Sequence, residues 1–382
     1  MFMNVAITLS GERSRKLYDI FTETGYDTYQ PVCIMETDSS LWDADASLPV
    51  VSFGKATQLY NSKKIDKFII PSMQPDLISD VLNILNAYEI PIEDCLFAPV
   101  EVFLDDSLTA MERVSAIYNF SECRELPSME LHVIDNCNMR CKHCTMFAAL
   151  APPGSIDDFD STVKGLSYLK KYFSHVHTFR VLGGEPFLNP RLYEYLDIIR
   201  EKYPYTEIQL ITNGTMLMDM SQVLINSIKN NHVTVYISFY KTLNIKADAI
   251  HDFLVQKGIQ HSFTPPLHTF QNIYDAKGRS DALFTFNNCR WRIRGCATIK
   301  NTMIAPCFVP FAIKYFSDAF SLDIEQSGVI DLSEDGLSTY EIRRRLTQPF
   351  PLCRYCAPPG HSVKWEQLAA GSKPNIKDWC ID

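Results

Sequence analysis

Ten residues constrain this chain most: Asp135-Asn136-Cys137-Asn138-Met139-Arg140-Cys141-Lys142-His143-Cys144. Their three cysteines, spaced C-x3-C-x2-C, follow an apolar run, Leu131-His132-Val133-Ile134, that reads as a buried strand. Three thiolates on one tight loop can face a single soft metal centre. A structural zinc site or an ordinary [4Fe–4S] site takes four protein ligands, so a three-cysteine loop can leave one iron open to a small molecule. The bland alternatives are unrelated buried thiols or a disulfide loop. Such a packing of thiols in a chain of cytosolic look disfavours both.

Composition narrows the classes further. A net charge of −9 argues against nucleic acid or an anionic membrane as the main partner. No apolar run is long enough to span a bilayer, and Met1 to Lys16 lacks a signal peptide's basic-then-apolar order. Twelve cysteines, two groups of them at metal-type spacing, fit a reducing cytoplasm better than a secreted disulfide framework. A cytoplasmic protein is therefore expected. With 382 residues and 46% hydrophobic content, the chain has material for two or three domains.

Short apolar runs alternate with helical patterns over residues 1–100. Val5–Leu9, Val32–Met35, Val50–Ser52, Phe68–Ile70 and Cys95–Phe97 read as strands, and Arg13–Phe21 and Leu77–Leu85 as helices. Such alternation implies a parallel sheet with crossovers. The first strand-to-helix turn, Ser10-Gly11-Glu12-Arg13-Ser14, lacks G-x-G-x-x-G, and Glu12 would repel a phosphate, so nicotinamide binding is not expected. Residues 101–127 read as a connector with one helix, Thr109–Tyr118. From 130 a second alternation begins. Its strands are expected at 130–134, 178–182, 207–212, 233–238 and about 260–263, and its helices at 158–172, 191–202, 219–229 and 246–257.

The cysteine loop resembles the signature of the radical S-adenosylmethionine (SAM) superfamily, with His143 in its often aromatic position before the last cysteine. The resemblance extends over residues 128–270. It implies a partial, laterally open (β/α) barrel whose active site lies at the carboxyl ends of the strands. It also implies that Cys137, Cys141 and Cys144 hold a [4Fe–4S] cluster whose open iron binds SAM. Gly183-Gly184-Glu185-Pro186, directly after Phe179–Leu182, matches the family motif for the SAM amino group. Paired glycines admit a close ligand, and free carbonyls and a carboxylate accept from an ammonium. Thr212 and Asn213, which open Thr212-Asn213-Gly214, and Ser238 fall at the next two strand ends, where family members place polar groups near the ribose and carboxylate of SAM. Asn-Gly also forms turns for its own sake.

Two further stretches resemble proteins of bacterial polysaccharide loci. Val50 to Ile70 is similar to small Rossmann-like domains attached to sugar-modifying enzymes, read either as a sugar-nucleotide recognition unit or as a degenerate docking domain. The loop after Cys144 partly matches a C-x-H-F-S-P-L-A tail, with Met146 and Ala148 at the usual His and Ser positions. As a plain apolar loop it would shield the cluster from water.

Residues 271–382 carry Cys296, Cys307, Cys353 and Cys356, with Cys289 as an alternative fourth ligand or a bystander. Their order resembles the auxiliary-cluster module called SPASM or twitch and implies a second [4Fe–4S] cluster. Four thiolates could also hold zinc. Lone Cys33, Cys95 and Cys123 read as buried apolar residues.

The expectation is therefore an α/β enzyme with a Rossmann-like domain at 1–100, a connector at 101–127, a radical SAM core at 128–270 and an auxiliary-cluster region at 271–382. The resemblance implies a low-potential electron donor such as flavodoxin or ferredoxin, and hydrogen abstraction from a small-molecule or glycan substrate leading to oxidation, epimerisation or dehydration. One competing reading is a maturase of ribosomal peptides. Another is a non-catalytic iron–sulfur sensor or scaffold, which would have no need of a SAM pocket. No residue acting on the substrate can be named from the sequence.

Overall fold

The computed structural model describes residues 2–9, 11–43, 48–240, 246–271, 274–293, 295–357, 362–369 and 371–380. Ser10 of the first strand-to-helix turn lies outside them. The chain forms two compact units, Met1–Glu125 and Leu126–Asp382.

The first unit is a six-stranded sheet of β1 (Met3–Thr8), β2 (Tyr29–Glu36), β3 (Val50–Ser52), β4 (Lys67–Pro71), β5 (Cys95–Ala98) and β6 (Tyr118–Asn119). Its order is β3-β2-β1-β4-β5-β6. The first five strands pair in parallel, which requires the helical crossovers Glu12–Glu23, Phe53–Asn61 and Pro75–Ala87. The expected helix Thr109–Tyr118 is shorter, Ala110–Ser115, and opens on a capping box of Thr109 and Glu112. Tyr118 leaves it to pair with Phe97 as an antiparallel edge. Cys33 and Cys95 are buried, and burial pushes both thiols up to about 12.

The second unit is built on β7 (Glu125–His132), β8 (His175–Leu182), β9 (Glu207–Thr212), β10 (Thr234–Ile237) and β11 (His261–Phe263). A small ladder follows of β12 (Thr269–Gln271), and the sheet is completed by β13 (Cys296–Lys300), β14 (Met303–Ala305) and β15 (Ile330–Asp331). The last strand, β16 (Ser362–Lys364), pairs antiparallel with β12. Helices Phe159–Tyr172, Leu192–Lys202, Gln222–Asn230 and Ala247–Lys257 connect β7 through β11. Asp158 and Ser221 cap the first and third by accepting from Ser161 N and Leu224 N, and Gly258 ends the fourth in the left-handed conformation.

The sheet order is β11-β10-β9-β8-β7-β13-β14-β15. The core sheet therefore does not stop near residue 270. β13 lies parallel to β7, and β14 and β15 continue antiparallel beyond it. Gly165 explains how the first helix reaches this addition: a Cβ there would sit 1.7 Å from Asn301 O in the β13–β14 turn. A glycine in mid-helix costs roughly 0.5–1 kcal/mol relative to alanine, and here it admits a contact no other residue allows. No described helix is long and apolar enough to cross a membrane.

Candidate active site

The cysteine loop leaves β7 and is seated on the end of β8. Val133 N donates to Leu182 O (2.9 Å), Gly184 N to Ile134 O (2.8 Å) and Glu185 N to Asn136 O (3.1 Å). These bonds bring two backbones into contact where side chains cannot fit. A Cβ on Gly183 would lie 2.1 Å from Ile134 O, and one on Gly184 2.0 Å from Asn136 O. The glycine pair thus seats the cysteine loop as well as lining the cavity described below. Beneath the loop, Lys300 Nζ bridges Asp135 (2.7 Å) and Asp157 (2.9 Å), with the Tyr315 hydroxyl donating to Asp135. Lys300 is held above its ordinary range by these two carboxylates, against the opposing effect of burial.

Each sulfur of the loop receives hydrogen bonds from a different quarter. Cys137 Sγ accepts from Met139 N (3.3 Å) and Asn213 Nδ2 (3.5 Å). Cys141 Sγ accepts from the Trp365 indole Nε1 (3.3 Å). Cys144 is reached by the backbone N–H groups of Met146, Phe147 and Ala148. Burial pushes the Cys137 and Cys141 thiols up to about 12, with the neighbouring sulfurs adding to the rise, and burial raises Cys144 likewise. Three thiols gathered at donors, with no cation among them, are a donor set for a soft metal group. A [4Fe–4S] cluster fits them.

The loop forms one wall of a cavity of about 460 Å³. It contains Cys137, Cys141, Cys144, Gly183, Gly184, Thr212, Asn213 and Ser238, gathered from the ends of β7 through β10. Volumes of this order hold a drug-sized ligand, and SAM is of that size. Met146, Ala148, Tyr240, Leu267, Phe270 and Trp291 add an apolar wall, with Thr145, Thr269 and Gln271 as further polar groups. No Asp, Glu, Lys, Arg or His among the described residues lines it.

Three expected cofactor-binding residues do not line this cavity: His143, Glu185 and Pro186. His143 turns at φ 57° and donates its backbone N–H to Asp378 O (2.6 Å). Pro186 is buried in the first turn after Glu185. Glu185 is fully buried, and its carboxylate accepts from Thr212 Oγ1 (2.7 Å), Asn213 N (2.8 Å) and Phe187 N (3.2 Å). Burial pushes it up to about 7, against those hydrogen bonds. These three bonds hold the Thr212–Asn213 turn, and the Glu185 carboxylate is not among the groups that line the cavity. Asn213 carries that order onward, its Nδ2 donating to Asn138 Oδ1 (2.8 Å) and reaching Cys137.

The second cysteine group differs from expectation in one member. Cys289, Cys307, Cys353 and Cys356 line a small cavity of about 40 Å³. Cys296 does not. It lies in β13 in register with Ser128, and its sulfur meets Ser128 Oγ (3.1 Å) and Arg180 Nη1 (2.8 Å) inside the sheet. Cys289, left open in the sequence as an alternative, takes its place. Burial raises Cys307, Cys353 and Cys356, and the mutual repulsion of the group adds to it. Four thiols gathered at one small cavity, with Arg292 also in its lining, are a donor set for a soft metal group. Among the described residues no three of these sulfurs lie within 4.8 Å of one another.

Trp365 is the residue sequence reasoning missed. It stands alone in a polar stretch after β16, and its partner Cys141 is 224 residues away. No spacing signal connects the two.

Sequence comparison places these residues in a known context. The profile of the radical SAM superfamily matches residues 131–285. The GTP 3′,8-cyclase of Nostoc punctiforme is 29% identical over 107 residues, covering 26% of this chain and 31% of that protein. The antilisterial bacteriocin subtilosin biosynthesis protein AlbA of Bacillus subtilis is 29% identical over 161 residues, covering 41% and 33%. The chain thus spans about a third of the length of these curated relatives. Among solved structures, BtrN in complex with AdoMet and 2-DOIA aligns over 61% of this chain and 94% of its own, at 15% identity and a TM-score of 0.38. Streptococcus suis SuiB bound to the precursor peptide SuiA aligns over 41% and 38%, at 14% identity and a TM-score of 0.31.

Proposed function

We propose that the radical SAM domain carried by residues 131–285 works here as an enzyme that cleaves SAM reductively and abstracts hydrogen from a neutral part of its substrate. The observation that carries this reading is the single cavity in which Cys137, Cys141 and Cys144 meet Gly183, Gly184, Thr212, Asn213 and Ser238. When bound, the [4Fe–4S] cluster and SAM supply one-electron cleavage of the sulfonium, which gives methionine and a 5′-deoxyadenosyl radical.

The chain's own residues bind, orient and exclude water. Cys137, Cys141 and Cys144 would hold three irons and leave the fourth to SAM. The backbone of Gly183 and Gly184 and the polar groups of Thr212, Asn213 and Ser238 would meet its amino-acid and ribose portions. Glu185 acts one step back, keeping Thr212 and Asn213 in place. Met146, Phe270 and Trp291 keep solvent from the reacting centre. Cys289, Cys307, Cys353 and Cys356 would hold the auxiliary cluster.

The uncharged cavity wall bears on the substrate. A nucleotide recognised through its phosphates would need cations there, and the described wall offers none. A neutral side chain of a ribosomally made peptide suits it, in keeping with the similarity to AlbA. The glycan substrate and polysaccharide locus expected from the N-terminal stretch find no support among these relatives. A small low-potential carrier such as flavodoxin or ferredoxin would supply the electron.

The test is spectroscopic. Wild-type protein, reconstituted and reduced anaerobically, should give a cluster EPR signal that changes shape on adding SAM. The Cys137→Ala/Cys141→Ala/Cys144→Ala variant should keep only a signal indifferent to SAM. A SAM-induced change that survives in the triple variant would refute the site.

A further inference from the structure

The C-terminal segment after β16 lies along the cysteine loop. Lys142 N donates to Glu366 O (2.9 Å), Leu368 N to Arg140 O (2.7 Å) and His143 N to Asp378 O (2.6 Å). Lys142 Nζ also pairs with Glu366 (3.3 Å) and Asp378 (3.4 Å). This strap carries Trp365, whose backbone is fixed by a bond from its N–H to His268 O (2.9 Å). Its ring packs on Tyr240 with centroids 5.4 Å apart. In that position the indole N–H points at Cys141 Sγ, 3.3 Å away. Cys137 and Cys144 draw on backbone donors, whereas Cys141 has the indole as its one hydrogen-bond donor among the described residues.

We infer that Trp365 is a positioning residue that raises the reduction potential of the core cluster through Cys141. The inference rests on the reading of Cys137, Cys141 and Cys144 as the cluster ligands. An N–H dipole aimed at a ligating sulfur stabilises the state with more negative charge on the cluster, which is the reduced one. The step concerned is the uptake of one electron from a low-potential carrier; the indole stays neutral and transfers nothing. Because the donor sits on the strap, a seated C-terminal segment makes the cluster easier to reduce, and an unseated one makes it harder.

The experiment is an EPR-monitored redox titration of the full chain, following the signal that SAM alters, with iron counted in every sample. Trp365→Phe keeps an aromatic ring against Tyr240 and removes the donor. The expected result is wild-type iron content, a more negative midpoint potential, and loss of one exchangeable-proton coupling to the cluster after transfer to D2O. An unchanged midpoint in a variant that retains its iron would overturn the inference. If Trp365→Phe loses iron, 3-benzothienylalanine at position 365 decides by the same criteria, since it matches the indole in shape and lacks the N–H. Iron loss from both would make Trp365 a packing residue and overturn the inference equally. Absence of any SAM-responsive signal in wild type would overturn the core-site reading, and this inference with it.

Discussion

Glu185 shows how one buried carboxylate orders a site it does not line. Three donors converge on it: the hydroxyl of Thr212 and the N–H groups of Asn213 and Phe187. Removing the acceptor strands buried donors, each worth about 1–3 kcal/mol when unsatisfied. Glu185→Ala should therefore lose about 3 kcal/mol of stability, as some donors find water. It should also lose core iron along with SAM affinity, because the Thr212–Asn213 turn reaches Cys137 through Asn213 Nδ2. Urea unfolding and iron assay together check this; full iron retention with SAM affinity lost would instead make Glu185 a direct SAM contact. The pH dependence has a definite sign. The folded value, about 7, lies above the ordinary 4.5, so the folded state holds the proton more tightly. Stability from this group is complete below 4.5 and is lost as pH rises towards 7. The thermal midpoint of metal-free wild type should fall across that window more steeply than that of Glu185→Ala.

At the scale of elements, the auxiliary site tests what strand geometry does to a ligand set. Cys296 is committed to β13, where its neighbours are Ser128 and Arg180. Cys289 follows the helix Ala282–Asn287 and faces Cys307, Cys353 and Cys356. Cys289→Ala should lose about four irons, the content of one cubane cluster, while Cys296→Ala keeps them. The reverse outcome in iron analysis would reinstate Cys296. The sequence made β8 through β10 legible because each is a short run rich in apolar and β-branched residues ended by a polar motif. The hairpin look of Cys296 through Cys307 was legible and is met by β13 and β14, but nothing local to Cys296–Lys300 says that its other partner is Ser128–Leu131. For the same reason the spacing of thiols could gather the C-terminal cysteines but not say which of them turns inward. The glycine pair was legible as a motif. Its second duty, clearing the backbone of Ile134 and Asn136, depends on a contact between separate strands.

Over the whole molecule, two compact units are joined in one chain, and the described residues that line the two cavities lie in Leu126–Asp382. That unit gathers its groups from far apart in sequence. Cys141 meets Trp365, Asn136 meets Gly184, and the end of the chain straps the loop at 140–143. Such long-range seating explains why a signature of ten residues depends on most of a 257-residue unit. The central claim is that this assembly holds a SAM-cleaving cluster on Cys137, Cys141 and Cys144. The most direct measurement is 5′-deoxyadenosine formed from SAM by anaerobically reconstituted, chemically reduced protein, counted per chain beside its iron. Wild type should form it while carrying about eight irons, and the triple alanine variant should form none while keeping about four. Deoxyadenosine produced by that variant at the wild-type rate would contradict the account.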